Sequence, residues 1–130
     1  MALPRIAVIV PLLLAGLFIP AAGADPETPP SGTLGMVHED FRQDEVTVDC
    51  GSTLTMQNDS RWVHVIGPGR DGLLEHDETS PVTGRHLLEI NDVLTTGPWN
   101  SPGEHYLTCP VHPEMTVKVV VRGCVGTHCC

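Results

Sequence analysis

The apolar positions of this chain form one unbroken run near the N-terminus and, after residue 34, a series of short alternating segments. These segments are rich in Val, Leu, Ile and Thr, and turn residues separate them. No window of helical length carries apolar residues at the i, i+3, i+4 and i+7 spacing of an amphipathic helix. The pattern predicts strands at residues 35–38, 45–49, 53–58, 62–66, 86–91, 104–109 and 116–122. Strands at such short intervals indicate an all-β domain, arranged as a Greek-key sandwich or barrel.

Turn residues divide these predicted strands. Residues 49–52 and residues 101–103 have the composition of tight turns that each precede a strand. Residues 67–84 show no strand pattern, so we predict a long irregular loop there.

The N-terminal apolar run has the features of an export signal. Arg5 precedes a run of 14 apolar residues from Ile6 to Ile19, and Ala22 and Ala24 supply small residues where a signal peptidase cleaves. The run is shorter than the roughly 20 residues of a spanning helix. We therefore predict a cleaved signal peptide at residues 1–24, no stable membrane insertion afterwards, and a periplasmic or secreted protein. An uncleaved N-terminal anchor is the alternative.

The rest of the chain is divided by composition. Residues 25–33 are proline-rich without periodic apolar positions, which predicts a flexible leader. Residues 34–124 form the predicted domain, and residues 125–130 form a tail that carries His128, Cys129 and Cys130. The length of 130 residues fits one compact domain.

The charge balance excludes one class of partner. Seven Lys and Arg residues face sixteen Asp and Glu residues, for a formal charge of −9, and basic residues are nowhere clustered with aromatics. A nucleic-acid surface is therefore excluded, and an anionic membrane surface is disfavoured. No Ser-His-Asp set stands in a hydrolase motif, and no Gly-rich phosphate loop is present.

The candidate chemistry lies between the last two predicted strands. Cys109, His112 and Met115 follow C-x-x-H-x-x-M spacing in a loop short enough for the three side chains to converge. Thiolate and thioether are soft donors and imidazole is intermediate, so this group favours copper over Mg²⁺ or Ca²⁺. His64, in an apolar segment upstream, offers a second imidazole.

The segment that contains Cys109, His112 and Met115, with the Val-rich strand after it, resembles the copper loop and last strand of the cupredoxins. It is most similar to short-loop members such as amicyanin and pseudoazurin, and His64 matches the first histidine of the family. The resemblance implies a cupredoxin-like Greek-key β-sandwich of about eight strands that holds one type 1 copper ion. It implies His64, Cys109 and His112 as ligands and Met115 as a weak axial ligand. The implied function is one-electron transfer without enzymatic activity, by a monomer. Because the chain is acidic, we expect the redox partner to have a basic docking surface.

Two positions depart from the family. Cupredoxins usually have Asn after the first histidine, where its side chain ties the two ligand loops together, and this chain has Val65. Short loops of the family have Pro directly before the second histidine, but here Pro110 follows the cysteine and Val111 precedes His112. Val111 therefore keeps an amide hydrogen that could point at the Cys109 sulfur.

Several alternatives stay open at this stage. Residues 109–114 also resemble a short heavy-metal-binding motif of copper exporters, although a strand pattern follows here. The protein could sequester copper in the cell envelope, with His128, Cys129 and Cys130 as a second Cu(I) site. It could also be an interaction module that binds no metal.

The remaining cysteines and histidines are assigned as follows. The family topology makes a Cys50–Cys124 disulfide plausible, and Cys129 or Cys130 could bond to Cys50 instead. The segment from His76 to Glu78 is predicted to be solvated surface, whereas Met56 is predicted to lie in the core. Three further histidines have no partner at ligand spacing: His38, His86 and His105.

Overall fold

The computed structural model describes residues 32–123, and in that range it contains ten strands and no helix. The strands are β1 (Thr33–Val37), β2 (Asp40–Phe41), β3 (Glu45–Asp49), β4 (Thr55–Asn58), β5 (His64–Arg70), β6 (Leu73–Leu74), β7 (His86–Leu88), β8 (Val93–Thr95), β9 (Gly103–Cys109) and β10 (His112–Arg122). Between residues 32 and 123 there is accordingly no apolar helix of membrane-spanning length. The predicted signal peptide, residues 25–31 of the leader and residues 124–130 lie outside the described residues.

The strands form two sheets. The first has the order β2-β1-β4-β8, and the second has the order β3-β10-β9-β5-β6, with β7 paired to β5. Two of the pairings are parallel, β1 with β4 and β10 with β3, and they join strands that are not neighbours in sequence. This confirms the predicted all-β Greek-key sandwich. Residues 32–123 contain ten strands, where the resemblance implied about eight and the apolar pattern predicted seven. The pattern missed very short strands such as β2 and β6, because two residues are too few to show alternation.

The core lies between the two sheets and is mostly aliphatic. Alternate residues of β1 and β10 are buried, as expected for strands with one face turned inward. Met56 on β4 is fully buried in this core, which confirms its predicted place. Trp99 is also fully buried there.

The prediction of an irregular loop at residues 67–84 is wrong in its first part. β5 continues through Gly67, Pro68 and Gly69, and β6 follows within the same range. Gly67 pairs with Thr108 of β9, and a Cβ atom on Gly67 would lie 2.5 Å from the Gly84 carbonyl oxygen. The Gly-Pro-Gly sequence is a poor strand former by composition. The backbone at Gly84 nevertheless approaches β5 so closely that Gly67 must lack a side chain.

The topology brings three strand ends together. β5 and β10 each run antiparallel to β9, so the beginning of β5 and the beginning of β10 both lie beside the end of β9. His64 begins β5, Cys109 ends β9 and His112 begins β10. The three residues predicted to bind metal therefore meet at one end of the sandwich.

Candidate metal centre

His64, Cys109 and His112 form a compact cluster of potential metal ligands. One ligand atom from each residue lies within 4.8 Å of the others, and the Cys109 Sγ and the His112 Nδ1 are 3.7 Å apart. The two imidazole ring centroids are 4.9 Å apart. His64 and Cys109 are fully buried, whereas His112 is half-buried. The three side chains are positioned as ligands of one metal ion.

A tight hairpin sets the distance between Cys109 and His112. The two residues are direct partners in the β9–β10 ladder, so the turn between them contains only Pro110 and Val111. After His112 the register shifts, and regular pairing resumes at Thr116. The Thr108 hydroxyl donates a hydrogen bond of 2.9 Å to the carbonyl of Met115 across this irregularity. The Cys109–His112 ladder pairing and the Thr108–Met115 hydrogen bond hold the loop between β9 and β10 in place.

The β5–β6 turn supports the same loop from outside. The Gly72 amide donates to the Thr108 Oγ1 at 2.9 Å, and the Asp71 amide donates to the Thr116 Oγ1 at 3.0 Å. Gly72 has a φ of +75°, and a Cβ atom there would lie 2.8 Å from the Cα of Pro113. The residue directly after His112 therefore packs against a position that requires glycine.

His64 is prepared as a neutral nitrogen ligand. Its Nε2 is 2.9 Å from the Ser60 Oγ, and its Nδ1 is buried without a hydrogen-bond partner among the described residues. Burial is the main cause that lowers the pKa of His64 from 6.5 to about 4, and the charge of His112 adds to it. A buried polar atom without a partner is costly unless something binds it. The Nδ1 lone pair is thus free to bind a metal ion.

Cys109 supplies a sulfur atom shielded from water. The side chain is fully buried, and the Val65 amide donates a hydrogen bond of 3.4 Å to its Sγ. From the sequence, the Val111 amide was a candidate for this role. The donor is the Val65 amide. Val65 replaces the family's asparagine, and its backbone N–H still donates a hydrogen bond to the Cys109 sulfur.

The donor set fits copper. Two imidazole nitrogens and one thiolate form the trigonal set typical of copper electron-transfer sites, which add a weak thioether ligand. The unpaired Nδ1 of His64 is the observation in this structure that supports the fit. Met115 is fully buried on β10 directly after the loop, and its axial role stays a prediction.

The other histidines between residues 32 and 123 do not join the cluster. His38 makes an edge contact with Trp62, with ring centroids 5.6 Å apart. His105 is buried, and its Nδ1 lies 3.2 Å from the Asp77 Oδ2. Burial would raise the pKa of Asp77, but hydrogen bonds from Thr79 and from His105 lower it overall. The prediction of solvated surface for residues 76–78 therefore holds for His76 and Glu78, whereas the Asp77 side chain is 30% exposed and pairs with the buried His105.

The protein surface at the metal centre is apolar with an acidic border. Val111 is 58% exposed, and Trp62 and Val63, just before His64, are exposed apolar residues as well. A groove of about 290 Å³ lies beside His112, and Glu39 and Glu114 are among the residues that line it. Among the predicted ligands, His112 is the one that reaches this surface.

Two polar residues behind the metal centre, Asn58 and Ser60, were not predicted from the sequence. Both are buried, and Ser60 contacts His64 directly. The signal for Asn58 was available, because it lies two residues after Met56 on the inward face of β4. An amide on a buried strand face indicates a specific hydrogen-bond role.

Comparison with known proteins identifies the fold. No family model and no curated protein matches the chain. Among solved structures, an oxidised mutant of amicyanin matches with a TM-score of 0.57 at 18% identity, covering 75% of this chain and 87% of that one. A purple cupredoxin from Nitrosopumilus maritimus matches with a TM-score of 0.55 at 18% identity, covering 70% and 99%. An amicyanin mutant with Cu(I) matches with a TM-score of 0.53 at 18% identity, covering 69% and 80%.

The chain has the cupredoxin fold. The fold expected from the sequence resemblance is thereby confirmed. The candidate metal centre of this cupredoxin fold lies where the ends of β5, β9 and β10 converge.

Proposed function

We propose that this protein is an exported cupredoxin that carries single electrons between redox partners. Its ligands for one copper ion are His64, Cys109 and His112, with Met115 as a weak axial ligand. The observation that supports this most directly is the buried His-Cys-His cluster with an unpaired His64 Nδ1. Copper held by these residues would supply a one-electron Cu(I)/Cu(II) couple.

The residues of this chain prepare the site for that couple. His64 and Cys109 exclude water because both are fully buried. Ladder pairing on β9 and β10 holds Cys109 and His112 in place, so a change in charge at the site requires little movement of the ligands. The Val65 N–H directs a positive dipole at the thiolate and stabilises its charge.

His112 is the proposed route for the electron. It is the ligand that reaches the surface, and exposed Val111 lies next to it. Glu39 and Glu114 border the groove beside it, and the chain has a formal charge of −9. A partner with a basic docking surface is therefore favoured. Electron exchange with a cationic redox complex should slow as salt is added, and a rate that rises with salt would contradict this choice of partner.

The test of copper ligation is the visible and EPR spectrum of the copper-loaded mature protein. The parent should bind one copper ion and show an intense sulfur-to-copper charge-transfer band. Cys109→Ser should abolish that band because it removes the thiolate. If the band persisted in this variant, Cys109 would not be the thiolate ligand.

A variant of the C-terminal tail is the matched control and also tests copper sequestration. Cys129→Ser combined with Cys130→Ser removes two thiols while Cys109 stays in place. An electron carrier should keep one copper ion and its spectrum in this variant. Uptake of additional Cu(I) by the parent, lost in the variant, would favour sequestration instead.

The disulfide between Cys50 and Cys124 stays a prediction, since Cys124 lies outside the described residues. The Cys50 amide donates a hydrogen bond of 3.1 Å to the carbonyl of Arg122, two residues before Cys124. This contact supports the proposed pairing. Mass analysis of a non-reduced proteolytic digest would identify the linked cysteines, and a peptide linking Cys50 to Cys129 or Cys130 would replace this pairing.

A further inference from the structure

A buried hydrogen-bond network lies behind His64 and begins at Asn58. The Asn58 Nδ2 faces three backbone carbonyl oxygens, at 2.7 Å from Trp62, 3.1 Å from Leu88 and 3.0 Å from Glu89. Carbonyl oxygens only accept, so the amide nitrogen must be the atom that faces them. The Asn58 Oδ1 is then turned toward Ser60, whose backbone amide donates to it at 3.1 Å.

This orientation determines where the Ser60 hydroxyl proton lies. The Ser60 hydroxyl faces two acceptor oxygens, the Asn58 Oδ1 at 2.7 Å and the Trp62 carbonyl oxygen at 3.2 Å, and two oxygens as close as 2.7 Å require a hydrogen between them. Since the Oδ1 carries no hydrogen, Ser60 must be the donor. The lone pairs of the Ser60 Oγ remain, and the Trp62 amide donates to one of them at 3.1 Å.

The His64 ring completes the network. Its Nε2 lies 2.9 Å from the Ser60 Oγ, whose one hydrogen is already directed at Asn58. The Nε2 must therefore carry the proton and donate it to Ser60. In a neutral imidazole only one nitrogen carries a hydrogen, so the Nδ1 is bare. This agrees with the absence of a partner for the Nδ1 among the described residues.

We propose that Asn58 and Ser60 are positioning residues that hold His64 with its proton on the Nε2 and its bare Nδ1 directed to the metal. The inference rests on the proposed copper function for the identity of the metal. The network joins the end of β4, the loop at residues 59–63 and the residues after β7. It therefore restrains the loop at residues 59–63, which leads into His64. This restraint is present although Val65 replaces the asparagine that ties the two ligand loops together in the family. Partners that orient a ligating histidine typically contribute 10- to 100-fold in metal affinity.

The first experiment uses the copper-free parent protein and needs no metal. Long-range ¹H–¹⁵N correlation at about pH 8, above the ordinary histidine range, reports which ring nitrogen carries the proton. We expect one tautomer for His64, with the proton on the Nε2. A dominant Nδ1–H form would overturn the inference even if the protein binds copper.

The second experiment measures Cu(I) affinity by competition with a chelator in three variants. Ser60→Ala removes the acceptor and should weaken binding about tenfold or more, while Ser60→Thr keeps a hydroxyl and should recover most of the loss. Ser80→Ala is the matched control, because Ser80 is similarly buried and its Oγ accepts a bond from the Val82 amide away from the cluster. It should leave the affinity unchanged.

The outcomes separate the two proposals. If the parent bound no copper, the proposed function would fail, and the tautomer measurement would still decide the role of Ser60 and Asn58. If the parent bound copper and Ser60→Ala kept full affinity, the positioning role would be wrong. A variant that failed to fold would leave the parent tautomer and Ser60→Thr as the deciding measurements.

Discussion

Acidification of the copper-free protein should destabilise it through His64. This side chain is fully buried, and burial lowers its pKa from 6.5 to about 4. Above pH 6.5, His64 is neutral in both the folded and the unfolded chain and contributes no pH dependence. Between pH 6.5 and about 4, the unfolded chain takes up a proton that the folded chain does not. The free energy of unfolding therefore falls as the pH falls through this interval.

The magnitude follows from the two pKa values. The difference between 6.5 and about 4 corresponds to about 3 kcal/mol at full extent, with 1.36 kcal/mol for each pKa unit. Below about pH 4, both states are protonated and the contribution stays constant. A loss of this size is large beside the roughly 5–15 kcal/mol stability of a typical domain.

Urea unfolding at a series of pH values, followed by tryptophan fluorescence, measures this effect. Other groups titrate in the same range, so the quantity of interest is the difference between the parent and His64→Leu, which removes the titrating ring. His76→Gln, at an exposed histidine, is the matched control and should follow the parent. A difference between the parent and His64→Leu that did not change between pH 7 and pH 4 would refute the reasoning.

Two further predictions concern the metal loop. Met115→Leu should keep copper and raise the reduction potential, because a long thioether contact adjusts the site more than it holds the ion; voltammetry measures this against Met56→Leu, a buried methionine of the core. Complete loss of copper would make Met115 a strong ligand instead. Gly72→Ala and Gly84→Ala both place alanine at positive φ, +75° and +72°, which costs about 1–2 kcal/mol. Only Gly72→Ala should also alter the copper spectrum, because its Cβ atom would lie 2.8 Å from the Pro113 Cα, whereas Gly84 has open space. Identical spectra for the two variants would show that this contact does not position the loop.

Much of the metal centre could be predicted from local sequence. Cys109 and His112 are three residues apart in a hairpin, so their spacing alone brings them together. The soft and intermediate donors indicate copper because ligand chemistry depends on residue type and not on fold. Alternating apolar positions likewise predicted β1, β4 and β10, since each has one face against the core.

Other features depend on contacts between distant segments, and the tertiary structure alone decided them. β5 continues through Gly67 and Pro68 because β9 supplies its partner, although the local composition indicates a loop. The pairing of the partly exposed Asp77 with the buried His105 depends on β9, which lies 28 residues further along the chain. The proton position on His64 follows from Asn58, whose orientation is determined by carbonyl groups 30 and 31 residues further along the chain. The local alternation of apolar and polar residues indicates which side chains face inward. A hydrogen bond is directional, so it also requires both partners to be in place.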